Sequence, residues 1–182
     1  MPKIQYLTSK GANEETHGSD TRLNVSSRSD ERSFYVSRDF GQYYCLRIED
    51  DNAEVNDLIA YIRNDSTTKS LFIRDIHISA ENACTIKFAF GDATAATGTA
   101  VTPVNLNKAS SNAADVTAFG NGAVGSVAAS TFFSTIRVGA GETVEYDVTL
   151  ILGQNDNIVI EYDTGSTGDI EIDIFFYLDT LE

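Results

Sequence analysis

The chain has no tryptophan, one methionine, two prolines and two cysteines among its 182 residues. So little proline, with 13 glycines, excludes a collagen-like or proline-rich fibre. Cys45 and Cys84 stand in no CxxC or Cys/His grouping, so neither a zinc centre nor a disulfide framework is indicated, although their even number permits one bridge. Basic residues are scarce: 13 Lys and Arg face 27 Asp and Glu, for a formal net charge of -14. A surface this acidic repels phosphates and anionic headgroups, which sets nucleic acids and membrane surfaces aside as partners. No apolar run approaches the roughly 18–20 residues that a membrane-crossing helix needs. The opening residues, MPKIQYLTSKGANEETHGSD, carry neither an apolar secretory stretch nor an Arg-rich amphipathic one. We therefore expect synthesis in a cytoplasm, with any later location reached by assembly.

What is present suits one globular domain. Apolar residues make up 42% of the chain, and 10 Phe and 8 Tyr supply a core, which argues against general disorder. A chain of this length buries roughly 70% of its unfolded surface and needs no staple. Residues 1–32 are polar with isolated apolar side chains and read as an extended N-terminal arm. Residues 33–182 carry short apolar runs separated by polar turns and read as the folded domain.

Strand periodicity is clearest in the last third. Val144, Tyr146, Val148, Leu150 and Leu152 alternate with Thr143, Glu145, Asp147, Thr149 and Ile151, and Ile158, Ile160 and Tyr162 with Val159, Glu161 and Asp163. Ile170, Ile172, Ile174, Phe176 and Leu178 then oppose Asp169, Glu171, Asp173, Phe175, Tyr177 and Asp179. A period of two marks a half-buried strand. With GQNDN and TGST as turns, these three strands are expected to form a meander. Upstream, strands are expected over 43–49, 55–63, 71–79 and 84–90, with a bulge at Arg74 where alternation breaks. Cys84 shares the inward face with Ile86, Phe88 and Phe90, while Cys45 faces outward with Tyr43, Arg47 and Glu49, so the two thiols should not pair. Residues 91–130 are rich in Ala, Thr, Gly, Ser and Asn and read as a long interfacial loop. A final strand resumes over 132–138. About nine strands without a helix give an all-β, antiparallel β-sandwich, jelly-roll-like or barrel-like.

Few residues suggest chemistry. Asp163-Thr164-Gly165-Ser166 has the triplet used by aspartic proteases, but the apolar-apolar-Gly strand Leu150-Ile151-Leu152-Gly153 precedes it instead of following. A turn between two strands is the reading we adopt. The acidic run Glu49, Asp50, Asp51, Glu54 and Asp57 lacks EF-hand spacing and its central glycine, and reads as a turn with solvated charges. His17 and His77 are the only histidines, and neither lies near a nucleophile elbow. There is no P-loop, GxGxxG or zinc ligand set. Asn-rich turns suit sugars, yet the exposed Trp of carbohydrate platforms is missing. No catalytic, cofactor-binding or metal-binding residue is assigned, and no enzyme activity is expected.

The segments Thr102-Pro103-Val104-Asn105-Leu106-Asn107 and Ser110-Ser111-Asn112-Ala113-Ala114, with Leu150-Ile151-Leu152-Gly153 and Ile160-Glu161-Tyr162-Asp163-Thr164-Gly165, resemble β-rich virion proteins of tailed bacteriophages. The resemblance spans about residues 43–179 and rests on turn and strand chemistry. It implies a non-enzymatic protein on the virion capsid surface that decorates or cements the head by bridging shell subunits. Its partners would be further copies of itself, as a homotrimer, and the major capsid protein or other virion proteins. A tail or fibre module binding a receptor or carbohydrate is the alternative. The expected interface residues are the outward aromatics Phe175 and Tyr177 and the loop residues Pro103, Asn105 and Asn107.

Overall fold

The computed structural model describes residues 5–7, 13–15 and 36–180. The chain divides into two compact units, Met1–Asp30 and Glu31–Glu182. In the first, β1 (Gln5–Leu7) pairs antiparallel with β2 (Asn13–Glu15). The rest of the expected arm lies outside the described residues.

Among the described residues, the regular structure of the second unit is strand apart from one π-type turn at Val36–Phe40. Its strands are β3 (Tyr43–Ala53), β4 (Asp57–Asn64), β5 (Ser70–Ala80), β6 (Cys84–Gly91), β7 (Thr97–Ala100), β8 (Val104–Asn105), β9 (Val116–Gly125), β10 (Ala129–Val138), β11 (Glu142–Leu152), β12 (Asn157–Gly165) and β13 (Gly168–Asp179). They form two antiparallel sheets, ordered β10-β6-β12-β4-β9-β7 and β11-β5-β13-β3-β8. Without the inserted β7, β8 and β9, the other eight strands have the order of a jelly roll, crossing between the sheets at every connection except β6 to β10, which are neighbours in one sheet. Among the described residues, no helix is long and apolar enough to cross a membrane.

The alternation in the sequence becomes the core. Tyr44, Leu46 and Ile48 of β3, Ile76 and Ile78 of β5, and Ile172, Ile174 and Phe176 of β13 meet Ile62, Ile86, Phe88, Ile158 and Ile160 from the other sheet. Fully burying each such side chain stabilises the fold by about 1.5–3 kcal/mol. Tyr44 stacks on Phe176, with centroids 5.4 Å apart, and its hydroxyl donates to the Ala113 carbonyl at 3.2 Å. Asn64 is fully buried and fully satisfied. Its amide donates to the carbonyls of Lys69 (2.9 Å) and Leu152 (3.0 Å), and its oxygen accepts from the Ser66 N–H (3.0 Å).

Two expectations are corrected here. The last three long strands are not a meander: β11 pairs with β5, β12 lies between β6 and β4, and β13 lies between β5 and β3. Their short turns cross from one sheet to the other. A period of two shows that one face is buried, but does not choose the hydrogen-bonded neighbour. The 91–130 segment is also not a structureless loop, since it holds β7, β8, β9 and the start of β10. It packs a second, smaller core of Leu58, Tyr61, Ala89, Val124 and Val159 on the outer face of the six-stranded sheet, helped by Ala96, Phe119, Val127 and Ala129. Small residues there let the inserted backbone approach the sheet closely. On its inner side the segment also meets the main core closely, since a Cβ at Gly120 would sit 2.5 Å from Ile48 Cγ2.

The bulge stands where alternation fails. Asp75 pairs with Phe175 and Ile73 with Phe176, leaving Arg74 as the extra residue. The sandwich is unequal at its sides. One side ends in strands of four and two residues, β7 and β8, and the other in strands of ten and eleven, β10 and β11. On that long-edged side, the inward residues Phe133, Ile136, Val144, Tyr146, Val148 and Leu150 are only half-buried.

Ile172 is fully buried at the middle of β13, so Ile172→Ala should lower the unfolding free energy by about 2–5 kcal/mol. Urea titration checks it: the midpoint falls while the slope stays constant.

Candidate functional site

The TPVNLN segment and the SSNAA segment after it form a bracket around the chain that enters β3. Asn105 donates to the carbonyls of Gly41 (2.8 Å) and Asn112 (2.9 Å), and Asn107 donates to the Ser37 carbonyl (2.7 Å). Ser110 Oγ donates to the Gly41 carbonyl (3.1 Å) and Asn112 to that of Phe40 (2.8 Å). The amide oxygens of Asn105 and Asn107 accept the N–H of Asn107 and Ala109, the side-chain-to-backbone turn that asparagine favours. Gly41 has φ +60°, and any Cβ there would run into Ser110. Asn105 and Asn107 thus turn their polar groups onto their own chain. Pro103 is half-buried beside them, and the large apolar side chains this segment shows to solvent are Val104, 64% exposed, and Leu106, 43% exposed.

The outward aromatics are placed differently from one another. Tyr177 points outward, yet it is only 5% exposed and stacks on Phe72 with centroids 4.8 Å apart and planes 3° from parallel. It is therefore covered within the chain, which corrects the expectation of an uncovered aromatic there. Phe175 is half-buried, and its ring lies 4.9 Å from that of His77. The sheet does not bring these two together with Pro103, Asn105 and Asn107 into one surface cluster: Asn105 pairs with Tyr44, whose side chain faces the core.

Phe175 also pairs with Cys45, whose thiol faces the Asp173 carboxylate with Sγ 3.9 Å from Oδ1. Partial burial, then the negative charge of Asp173, pushes the Cys45 pKa up to about 11. Cys84 is buried in the other sheet, and burial raises its thiol pKa as well. Both are free thiols on opposite-facing positions.

The triplet Asp163-Thr164-Gly165 ends β12 and leads into the turn to β13, with the Tyr162 hydroxyl donating to the Ser166 carbonyl at 2.7 Å. The Asp163 carboxylate is paired with Lys87, which also lies 4.0 Å from Glu161. Asp163 is thus an ion-pair partner on the sheet surface. In the acidic run, Asp50 accepts from the Asn52 N–H (3.1 Å) and Asp57 from the Glu54 N–H (3.2 Å), so these carboxylates cap their own turn. Among the described residues, no three His, Cys, Asp or Glu side chains group to hold a metal ion. His77 lies 3.6 Å from Glu145 on the outer face of the five-stranded sheet. His17 lies outside the described residues.

One cleft opens at an end of the sandwich, between the β6–β7 connection and the β11–β12 turn, with a volume of about 410 Å³. Phe90 (37% exposed) and Ile151 (50% exposed) form its apolar wall, and Asp92, Asn155 and Asp156 form its polar rim. Phe90 keeps the expected inward parity, opposite Ile158, yet reaches solvent at this end of its strand. Asp92 and Asp156 each use an oxygen on the backbone, accepting from Ala128 N–H (2.7 Å) and Gly153 N–H (2.9 Å). The buried Asn157 at its floor donates to the Ala93 carbonyl at 3.2 Å and packs against Gly91, where a Cβ would collide with it. Sequence reasoning missed this cleft, because its walls come from segments 60 residues apart whose meeting depends on the crossing between sheets.

Comparison of the chain with protein-family models, with curated proteins and with solved structures finds no match.

Two measurements follow from this geometry. At pH 8 the folded protein should react slowly with a thiol reagent, since little Cys45 is thiolate below its raised pKa. The rate should climb as pH approaches about 11, and denaturation should release two thiols per chain. Asp163→Asn removes a partly exposed ion pair and should cost less than about 1 kcal/mol, read as a small shift in melting temperature.

Proposed function

We propose that this chain is a non-enzymatic structural protein of a tailed-phage virion that decorates or cements the capsid by bridging shell subunits. The observation that supports this best is the long-edged side of the sandwich. Two strands of ten and eleven residues lie there with one edge each unpaired among the described residues, above a half-buried apolar seam. A soluble sandwich ordinarily blunts such edges with short strands, as the opposite side does. Leaving them long suits a protein that completes itself against neighbours. The resemblance of segments 102–107, 110–114, 150–153 and 160–165 to β-rich virion proteins of tailed bacteriophages supports the same reading, with an icosahedral shell supplying the neighbours. Its Asn-rich bracket serves by holding the entry to β3 rigid.

The cleft favours a second reading, a receptor- or carbohydrate-binding module. An apolar wall of Phe90 and Ile151 under a rim of Asp92, Asn155 and Asp156 has the polarity a sugar ring needs.

Mass spectrometry of purified particles separates them. For a capsid protein, its copy number per particle should approach that of the shell capsomers. A few copies per particle would favour the receptor-binding reading, and none would overturn both.

A further inference from the structure

We propose that the outer face of the five-stranded sheet binds a basic amphipathic helix of another protein, whose apolar side chains lie across the row Ile151, Phe72, Tyr177, Tyr43 and Leu106. The face is read from the sheet register alone; placing that helix on a shell subunit rests on the virion reading above.

The row follows from the register. Ile151 pairs with Phe72, Phe72 with Tyr177 and Tyr177 with Tyr43, and the Leu106 N–H donates to the Tyr43 carbonyl at 2.9 Å. Residues paired across strands share a face. Tyr44, the next residue of β3, is buried in the core, so the row points away from the core. It crosses the whole sheet without a charged residue. The stacked rings of Phe72 and Tyr177 form its floor, and the exposed Ile151 and Leu106 stand at its two ends. Alongside, Phe175 pairs with Cys45 and Cys45 with the exposed Val104, which widens the apolar strip toward β8. The six-stranded sheet buries apolar residues of its outer face in a small core of its own, whereas here the large side chains at both ends of the row stay exposed.

A helix is the occupant that suits this row. An extended segment laid on a sheet face leaves its own N–H and C=O groups without partners, whereas a helix satisfies them internally. Four steps between strands, at about 4.8 Å each, make the row about 19 Å long. A helix of about 13 residues covers that length, and its turns, about 5.4 Å apart, nearly match the strand spacing. Bulky side chains three and four residues apart then fall on successive strands.

Charge selects a basic helix. On one flank of the row Asp75 stands directly opposite Asp147, a like-charge pair that costs stability unless a cation joins it. Burial raises the Asp75 pKa, and the charges of Asp147 and Glu145 add to the rise against the lowering by Arg74 and His77. Two other bases on this face already lie beside acids: His77 is 3.6 Å from Glu145, and Arg47 is 3.8 Å from Asp173. A Lys or Arg on the flank of the docked helix would join Asp75 and Asp147. This complementarity is the reason for naming a basic partner and not a second copy, whose own face is as acidic.

The probe is a synthetic Leu/Lys helix of about 14 residues, with Leu in the i, i+3, i+4, i+7 pattern, titrated with the full chain and followed by fluorescence anisotropy. It should bind. Val104→Asp combined with Leu106→Asp should weaken it about tenfold while circular dichroism and melting temperature are kept. Asp147→Asn should weaken it about threefold and flatten its salt dependence. A helix with Glu in place of Lys should not bind. No binding of the Leu/Lys helix would overturn the proposal. Equal binding by the Val104→Asp, Leu106→Asp chain would overturn it too, by showing attraction to net charge alone. Self-association that the same two substitutions abolish, read by light scattering, would give the face to a second copy and equally overturn it.

Counting copies on particles separates this inference from the virion reading. A chain present at capsomer-like numbers that fails to bind the helix keeps the virion reading and sinks this one. A chain that binds the helix as expected yet is absent from particles keeps the face and loses the shell as its partner.

Discussion

β12 and β13 are joined by a turn of two residues, and each is an interior strand of a different sheet. That single crossing is what the rest of the sandwich depends on. β12 is hydrogen-bonded to β6 and β4, and β13 to β5 and β3, so every pairing between the first four long strands passes through one of the two. The short turn also sets how the sheets face each other: Ile158 and Ile160 leave β12 toward the same core that Ile172 and Ile174 enter from β13. The turn is held by the Tyr162 hydroxyl, and Gly165, at φ +154°, sits so close to that ring and to Cys84 that no side chain fits.

Around this spine the asparagines have a common use. Asn64 fastens the β4–β5 turn to the end of β11, Asn157 ties the cleft floor to the Ala93 carbonyl, and Asn105, Asn107 and Asn112 hold the residues before β3. In each case a side-chain amide replaces a backbone partner that the irregular connection cannot supply. Polar residues that look like candidate ligands in the sequence are thereby engaged with the fold itself. Among the described residues, the exposed apolar side chains and the outer edges of β10 and β11 are what the fold leaves unengaged.

The strand content and the facing of residues were legible because buried and outward positions alternate along β3 and most of β13, and along β5 on either side of Arg74. The Arg74 bulge and the opposed thiols followed from the same parity. Partner choice was not legible, since β11, β12 and β13 follow one another through short turns and a local meander fits that pattern equally well. The fold of 91–130 was hidden for another reason. Its strands β7, β8 and β9 extend the two sheets with mostly small residues, so they lack the large alternating side chains that announce a strand. That outer core did leave a trace: Leu58-Ile59-Ala60-Tyr61-Ile62 and Ile158-Val159-Ile160 are apolar on both faces, the mark of a strand covered twice. The cover on Tyr177 had no such trace, because stacking on Phe72 depends on the register between β5 and β13.

The position of the two central strands has a consequence for biosynthesis. A ribosome makes β3, β4, β5 and β6 well before β12 and β13, so four strands with apolar faces emerge while the segments that must lie between them do not yet exist. Contacts this distant in sequence slow folding, since a long loop must close before any pairing repays it. During that interval the nascent chain exposes strand edges that could pair wrongly with each other or with a neighbouring chain. The carboxylates on the outward faces, which give the chain its charge of -14, then act before the native state is reached, keeping unfinished copies apart by mutual repulsion until the central strands arrive.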